Sequence, residues 1–379
     1  MVLLLAEVLH SCDVASTLAA VGLRSSMWSF VCAQQTHAEW TGMTLHDLIQ
    51  PSFSFLVGLV VPLSISSRIR KGHSRADLTR HALWRGLLLV LLGIVLRQLH
   101  HRRIDVTFED TLTQIGLGYP VLFGLAWLRR RTLAIGLAAL LAGTWLLYVA
   151  YPLPGPAFDY AAVGVTPAFL ASHPLTGLAA HFQMNSNIGW AVDRVWLNLF
   201  PQSQPFVFNE GGYVTISSVP NIATMVLGLL AYPVLTDPRP DAHRFVRLAV
   251  YGLACMALGL VLSISGLCPI VKRLWTPSFV LFSGGLCLLT LTACALLAAT
   301  ISGRWTFALR VIGANSLLAY LMAELLSDPI ESRLASTMRF LSASQTSSPY
   351  LPFVAGVGTM LLEWILLYAL YRRRRFLRL

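Results

Sequence analysis

Residues Pro277–Ala298 read PSFVLFSGGLCLLTLTACALLA, a run of 22 residues without a charged side chain. About 20 apolar residues in helical rise cross the hydrocarbon core of a bilayer, and this run is long enough to do so. A backbone in lipid must satisfy its own polar groups, which an unbroken helix achieves. Working outward, six more blocks share this character: Leu48–Ser66, Ala82–Leu99, Thr132–Ala150, Val214–Leu235, Phe245–Leu267 and Val354–Tyr371. Leu112–Trp127 and Phe307–Leu326 are shorter or more polar, and Met1–Leu23 carries Glu7, His10 and Asp13 in an otherwise apolar stretch. Met1–Leu23 lacks the basic start and small-residue cleavage site of a secretory leader, so it reads as a first span. The pattern predicts an all-α fold, a polytopic transmembrane helix bundle of about ten spans.

Composition agrees. Of 379 residues 56% are hydrophobic and 12% charged, where a soluble chain carries about 25% charge. The net charge of +11 could indicate nucleic acid, but the basic residues gather in alternate loops. These are Arg68 to Arg80, Arg129–Arg131, Arg239 to Arg247, Arg304, and Arg372–Arg375 with Arg378. Placing those loops in the cytoplasm puts roughly twice as many Lys and Arg inside as outside, as the positive-inside rule requires. That arrangement needs an even number of spans, with both termini cytoplasmic. The charge is a topology signal and not a nucleic-acid footprint.

No linker or low-complexity stretch interrupts the spans, so residues 1–379 read as a single transmembrane domain, and no internal repeat marks a transporter. The outer side holds the sizeable polar segments Ser25–His46, Arg97–Asp110, Tyr151–Gly212 and Ser327–Ser348. Tyr151–Gly212 is rich in Trp, Phe, Asn and Pro, and reads as a cap on the outer face at 151–212, with an amphipathic piece around Trp190–Phe200. The six cysteines show no metal-like spacing and read as small hydrophobes; Cys32 and Cys268 both fall on the outer side, where they are candidates for a pair.

The chemistry concentrates in Gln35–Leu56, QTHAEWTGMTLHDLIQPSFSFL, where a polar loop enters a span. A carboxylate at the mouth of a span costs a few kcal/mol against lipid, so Asp47 should face a cavity or a partner. His37 is the partner that makes chemical sense. An imidazole titrates near neutrality, accepts a proton from an attacking nucleophile, and is oriented by a neighbouring carboxylate. From spacing alone the same residues serve equally as caps on an interfacial loop.

The pattern His37-Ala-Glu-Trp40-Thr-Gly42-x-Thr44-x-x-Asp47-Leu-Ile-x-Pro51-x-Phe53-x-Phe55-x-Val57-Gly58 resembles the signature of the heparan-α-glucosaminide N-acetyltransferase family and its bacterial relatives. Four further blocks resemble the family in order: Leu112 to Tyr119, Phe208-Asn-Glu210-Gly211-Gly-Tyr213-x-Thr215-Ile-Ser217, Trp275-Thr-Pro277-Ser278 with Ser283-Gly284, and Val311-Ile-Gly313-Ala-Asn315-Ser316-x-x-Ala319-Tyr320. The resemblance implies that His37 is catalytic and Asp47 supports it. It implies acetyl-CoA as donor from the cytoplasmic side and an amino-sugar or glycan amine as acceptor on the other. It also implies a homodimer, and the compact chain fits a bacterial inner membrane. Trp40, Gln50, Glu210 and Asn315 are the expected substrate-binding residues; Asn315 reads either as a donor to a thioester oxyanion or, with Ser316, as glue between helices. Both a covalent acetyl-imidazole and a ternary complex remain open, the ternary route needing no second half-reaction. The chain departs from the family at Cys12-Asp13-Val14-Ala15-Ser16-Thr17, where Leu-Asp-x-x-Arg-Gly is usual, and at Ser26, where the sugar acetyltransferases carry asparagine. A transporter or flippase for a small polar or glycan substrate, and a catalytically inactive relative, stand as alternatives.

Other polar residues have structural readings beside functional ones. Gln114 and Asn221 are intramembrane amides that suit helix packing. Glu363, inside the last span, needs a partner such as Arg85 or a polar cavity. Lys272 and Arg273 suit lipid head groups. Asn185, Asn187, Asp193, Arg194, Trp196 and Asn209 are of the types that grip sugars, or that anchor an interfacial helix. His100 and His101 beside Arg102 and Arg103 read as a solvated loop. No metal site is expected.

Overall fold

A computed structural model describes residues 1–101, 108–200, 204–239, 241–300, 303, 306–341 and 348–377. Arg102, Arg103, Arg304 and Arg378, read above as loop or topology residues, lie outside them, as do the side chains of His100 and His101. The described residues are helical or irregular, with no strand among them. Among the described residues eight helices are long and apolar enough to cross a membrane, or nine if the pair Phe307–Ala314 and Ser316–Leu325, bent by 80°, counts as one span.

The tenth expected passage, Leu112–Trp127, forms the helix Thr111–Leu125. At 1.5 Å per residue it is about 22 Å long, short of the roughly 30 Å core. It nevertheless returns the chain along the helix Arg75–His101. The Thr113 backbone lies against Gly93, Gly116 against Gly86, and the guanidinium of Arg75 sits 4.7 Å from the Trp127 ring. The two helices are therefore antiparallel and in contact from end to end. Asp110 caps the shorter one by accepting the Thr113 N–H at 2.9 Å, which satisfies a donor that helix geometry leaves orphaned.

Contacts divide the chain into two compact units. The first comprises Met1–Ala38, Thr44–Ile49 and Leu297–Leu379; the second comprises Glu39–Met43 and Gln50–Leu296. In the first, Leu5, Val311, Ile312, Ala319, Met322 and Leu367 form a buried cluster that Met1 and Tyr371 flank. Residues near both termini thus pack on one cluster. Val8 O lies where a Cβ on Gly356 would project, so the N-terminal segment runs directly on the helix Leu351–Arg372.

Two polar segments expected as loops are helical here: Ser26–Gln35 within Ser25–His46, and Ser327–Leu341 within Ser327–Ser348. Met1–Leu23 is not straight. The chain turns at His10, whose φ of 45° is left-handed, before the helix Ser11–Ala20. That helix pairs with Ser26–Gln35, and a disulfide joins Cys12 to Cys32. Cys32 is thereby taken by Cys12 and not by Cys268, the other candidate, and the reading of all six cysteines as small hydrophobes fails for Cys12 and Cys32. Cys268 is free and buried, and burial pushes its thiol pKa up. Hairpin pairing of two helices was invisible in a count of cysteines. Peptide mapping without reductant should recover Cys12 linked to Cys32, with Cys268 alkylated only after unfolding; a Cys268 crosslink would contradict the hairpin.

In the second unit the described residues of 151–212, the segment expected as a cap, pack on a cluster that includes Trp40, Tyr148, Phe182, Met184, Trp190 and Val214. Its amphipathic piece is the helix Ile188–Trp196, continued by a turn at Leu197–Leu199. The polar residues expected to grip a sugar mostly hold the cap together. Asn187 caps that helix through the Trp190 N–H. Asn185 donates to Val163 O and Asn209 O at 2.9 and 3.0 Å, and Asn209 accepts the Gly211 N–H at 2.8 Å. Buried backbone must find partners, and these short amides supply them.

Asp193 accepts the Thr215 N–H with both oxygens, at 3.0 and 3.2 Å. Burial raises its carboxyl pKa to about 6, against the opposing pull of Thr215. The folded cap therefore binds this proton more tightly than the unfolded chain, whose carboxyl titrates near ~3.9. The stabilisation is complete below the unfolded value and is lost as pH rises through about 6. Tryptophan-fluorescence melting should show the wild-type cap weakening between about pH 4 and 7. Asp193→Asn should flatten that slope and melt no lower than wild type at pH 7.5. A wild-type cap that gains stability over that range would contradict this.

Candidate functional site

Thr44-Leu45-His46-Asp47 forms half of a capping box just before the helix Ile49–Arg70, the carboxylate reaching back without a returning bond to the hydroxyl. Asp47 Oδ2 accepts the Thr44 N–H at 3.1 Å, the reciprocal bond expected of a hydroxyl residue followed three positions on by a carboxylate. The same oxygen accepts the Ala38 N–H at 3.1 Å, and Thr44 Oγ1 donates to Thr36 O at 2.7 Å. These bonds fold residues 36–38 back over the helix start. Asp47 Oδ1 is left to meet His37 Nδ1 at 2.7 Å.

Asp47 is 1% exposed and His37 38%. A buried carboxylate with this many donors is fixed in place, and the half-open imidazole is fixed through it. With Nδ1–H donated to the carboxylate, Nε2 is the basic nitrogen of the neutral ring. The arrangement can orient an imidazole, stabilise its protonated form, and leave Nε2 to exchange protons with a bound nucleophile. The two residues expected to act together are together.

His46 and Glu7 join them. The rings of His37 and His46 lie edge to face with centroids 4.2 Å apart, and His46 Nε2 is 3.5 Å from Glu7 Oε1. His10 bonds Glu331 at 2.7 Å and approaches Asp13 at 3.3 Å. Sequence reasoning assigned these residues no role. The available signal was three titratable groups, Glu7, His10 and Asp13, inside an apolar stretch.

Asn315 is placed elsewhere. It occupies the 80° break in its span, its amide donating to Arg375 O at 3.0 Å and accepting the Leu377 N–H at 2.9 Å. Val8, next to Glu7, adjoins Gly356, and Gly356 and Arg372 are about 24 Å apart along one helix. The bonds of Asn315 thus tie it to the backbone that follows the last helix, and they do not bring it together with His37. The amide thereby satisfies backbone groups that follow the last helix, which would otherwise need other partners.

The other expected binding residues belong to the second unit. Trp40 is buried and donates its indole N–H to Phe182 O at 3.2 Å. Gln50 donates to Gln114 Oε1 at 3.0 Å, and Gln114 donates to Ser217 Oγ at 2.9 Å, so Gln114 packs as expected and Gln50 is its partner. Glu210 is exposed, one residue before Gly211, whose carbonyl accepts from Arg273; Arg273 also lies over the Tyr213 ring at 5.3 Å. Glu363 accepts from Ser327 Oγ at 2.6 Å, and Arg85 donates to Tyr119, so the partner suggested for Glu363 is replaced by a hydroxyl. Among the described residues no His, Cys, Asp and Glu group could hold a metal.

The chain is 26% identical over 284 residues to human heparan-alpha-glucosaminide N-acetyltransferase, covering 64% of this chain and 42% of the human protein. It is 35% identical to the mouse protein of the same name over 60 residues, 16% of this chain and 9% of the mouse protein. The chain is similar in sequence to the heparan-alpha-glucosaminide N-acetyltransferases. The chain thus matches well under half the length of the N-acetyltransferases compared. No protein-family model matches it. Its departures from the N-acetyltransferase pattern fall in the N-terminal hairpin: Cys12 is spent on the disulfide, and Ser26 opens the second helix of the pair.

Proposed function

We propose that this protein is a transmembrane acetyltransferase that moves an acetyl group from acetyl-CoA to the amine of an amino sugar or glycan at the non-cytoplasmic face, in a bacterial inner membrane. The observation that carries this reading is the 2.7 Å contact between His37 Nδ1 and buried Asp47 Oδ1. The names of the related proteins support it.

In this reading the acceptor nitrogen attacks the thioester carbonyl carbon while His37 Nε2 takes its proton. Asp47 stabilises the resulting imidazolium, as a buried carboxylate beside a histidine does. The carbon–sulfur bond then breaks, and the imidazolium returns its proton to the leaving sulfur. The products are an acetamide and the free thiol, and His37 is neutral again. A ternary complex suffices, and no acetyl-imidazole is required. Acetyl-CoA supplies an activated acetyl group; its phosphates need cations, and Arg372–Arg375, pinned by Asn315 in the same unit as His37, are suited to meet them. Glu210, exposed in the second unit, is the residue of this reading whose charge suits a cationic amine, and Trp40 and Gln50 are its further substrate-binding residues. The homodimer that the resemblance implies belongs to the same proposal.

The experiment is to incubate purified membranes with radiolabelled acetyl-CoA and a panel of amino sugars. Labelled N-acetyl product is the expected result. Uptake of amino sugar without acetylation would replace this reading with transport.

A further inference from the structure

A groove of about 910 Å³ opens where the helix Ile49–Arg70 ends and Arg75–His101 begins, in the second unit. Its rim is cationic. Arg68 Nη2 meets His81 Nε2 at 2.7 Å, a contact that uses one of the five N–H donors of a guanidinium. Arg80 stands beside it, and the one nearby carboxylate, Asp77, is engaged by the Ser74 N–H and hydroxyl at 3.2 and 2.7 Å and only reaches Arg80 at 3.4 Å. Below the rim the wall turns apolar, with Leu83, Trp84 and Leu87.

The orientation of that wall decides what can occupy the groove. The helix Arg75–His101 packs on Thr111–Leu125 through Gly86 and Gly93. Leu83, Trp84 and Leu87 lie on another side, 55%, 57% and 47% exposed, although their helix is a candidate span. In a bilayer that side meets lipid, with a tryptophan at the level where indoles settle between head group and chain. A ligand here has its anion at the helix ends and its hydrocarbon along the helix.

We propose that this groove is a binding site for an anionic phospholipid, its phosphate held by Arg68 and Arg80 and an acyl chain lying along Leu83, Trp84 and Leu87. A phosphate and a hydrocarbon chain in one molecule match the two-part wall. A soluble phosphate ester such as coenzyme A matches only the rim.

The purified protein in detergent would be mixed with phosphatidylglycerol carrying a photoreactive acyl chain, illuminated and mapped by mass spectrometry. Adducts on the peptide containing Leu83–Leu87 are expected. Removing both charges in Arg68→Gln/Arg80→Gln should weaken labelling about thirtyfold, roughly fivefold for each cation at a membrane surface, and Arg68→Lys/Arg80→Lys should restore most of it. Trp84→Ala/Leu87→Ala, which leaves the rim intact, should lower labelling independently. Unlabelled phosphatidylglycerol should compete, whereas phosphatidylcholine, inorganic phosphate and coenzyme A at the same concentration should not. Adducts confined to other peptides, undiminished labelling of the glutamine variant, or displacement by coenzyme A would each overturn the proposal.

Discussion

Replacing His37 with alanine is expected to lower acetyl transfer by about 10²–10⁴-fold, the range that a positioned general base contributes. The amount of folded protein should not change, because His37 is half-buried and the bonds that shape its loop end on Asp47 Oδ2. Asp47→Asn should cost nearly as much, for a reason specific to this site. The oxygen at the Oδ2 position accepts two backbone N–H groups, so an asparagine carbonyl must point there. Its amino group then faces His37 Nδ1, which becomes the acceptor, and the ring proton moves to Nε2, where a base is needed. Initial rates with labelled acetyl-CoA, normalised to folded protein, measure both. A His37→Ala variant within threefold of wild type would remove His37 from the mechanism.

The largest expected structural effect comes from two glycines. A Cβ on Gly58 would lie 1.8 Å from Met225 O, and one on Gly228 1.9 Å from Phe55 O. The helices Ile49–Arg70 and Ser218–Leu235 thus touch backbone to backbone, with no side-chain tip that could swing aside. Overpacking in cores costs about 1–3 kcal/mol when side chains can yield; here the helices must separate, and close contact through small residues is what holds helices together in lipid. Gly58→Ala and Gly228→Ala should each destabilise by about 3 kcal/mol or more and lower the yield of monodisperse protein. Gly136 and Gly143, in the span Arg130–Ala150, have no atom within 4 Å of such a Cβ. Alanine there should be neutral, or stabilising by about 0.5–1 kcal/mol. Thermal melts in detergent distinguish the pairs, and equal behaviour of all four would contradict the packing described.

The helical class was legible because a bilayer imposes a length. Pro277–Ala298 and its like declare themselves through missing charge alone, and the helix Pro277–Thr300 follows. Thr111–Leu125 is shorter than the rule because Gly86, Gly93 and Gly116 bind it to its neighbour along its length, a stabilisation that hydropathy does not register. The bend at Asn315 was hidden for a related reason: the run Phe307–Leu326 is apolar on both sides of the break, and the Asn315 amide bonds to residues 60 and 62 positions away.

At the site, the pairing of His37 with Asp47 was readable because both lie within one capped loop, where local bonds fix the fold. His46 and Glu7 were not, because their approach depends on the turn at His10 that brings the N-terminal segment alongside the loop. Gln50 and Trp40 were right to draw attention as polar or aromatic residues near a span mouth, but a buried amide and a buried indole must first be satisfied, and Gln114 and Phe182 satisfy them.

One experiment bears on the whole account. Protein reconstituted in a single orientation would be given radiolabelled acetyl-CoA on the Arg372–Arg375 side only, with amino sugar on the opposite side only. The account predicts N-acetylated sugar accumulating on the acceptor side with wild-type protein and its near-complete loss in His37→Ala vesicles. Label crossing equally well without His37, or amino sugar crossing unmodified, would contradict it.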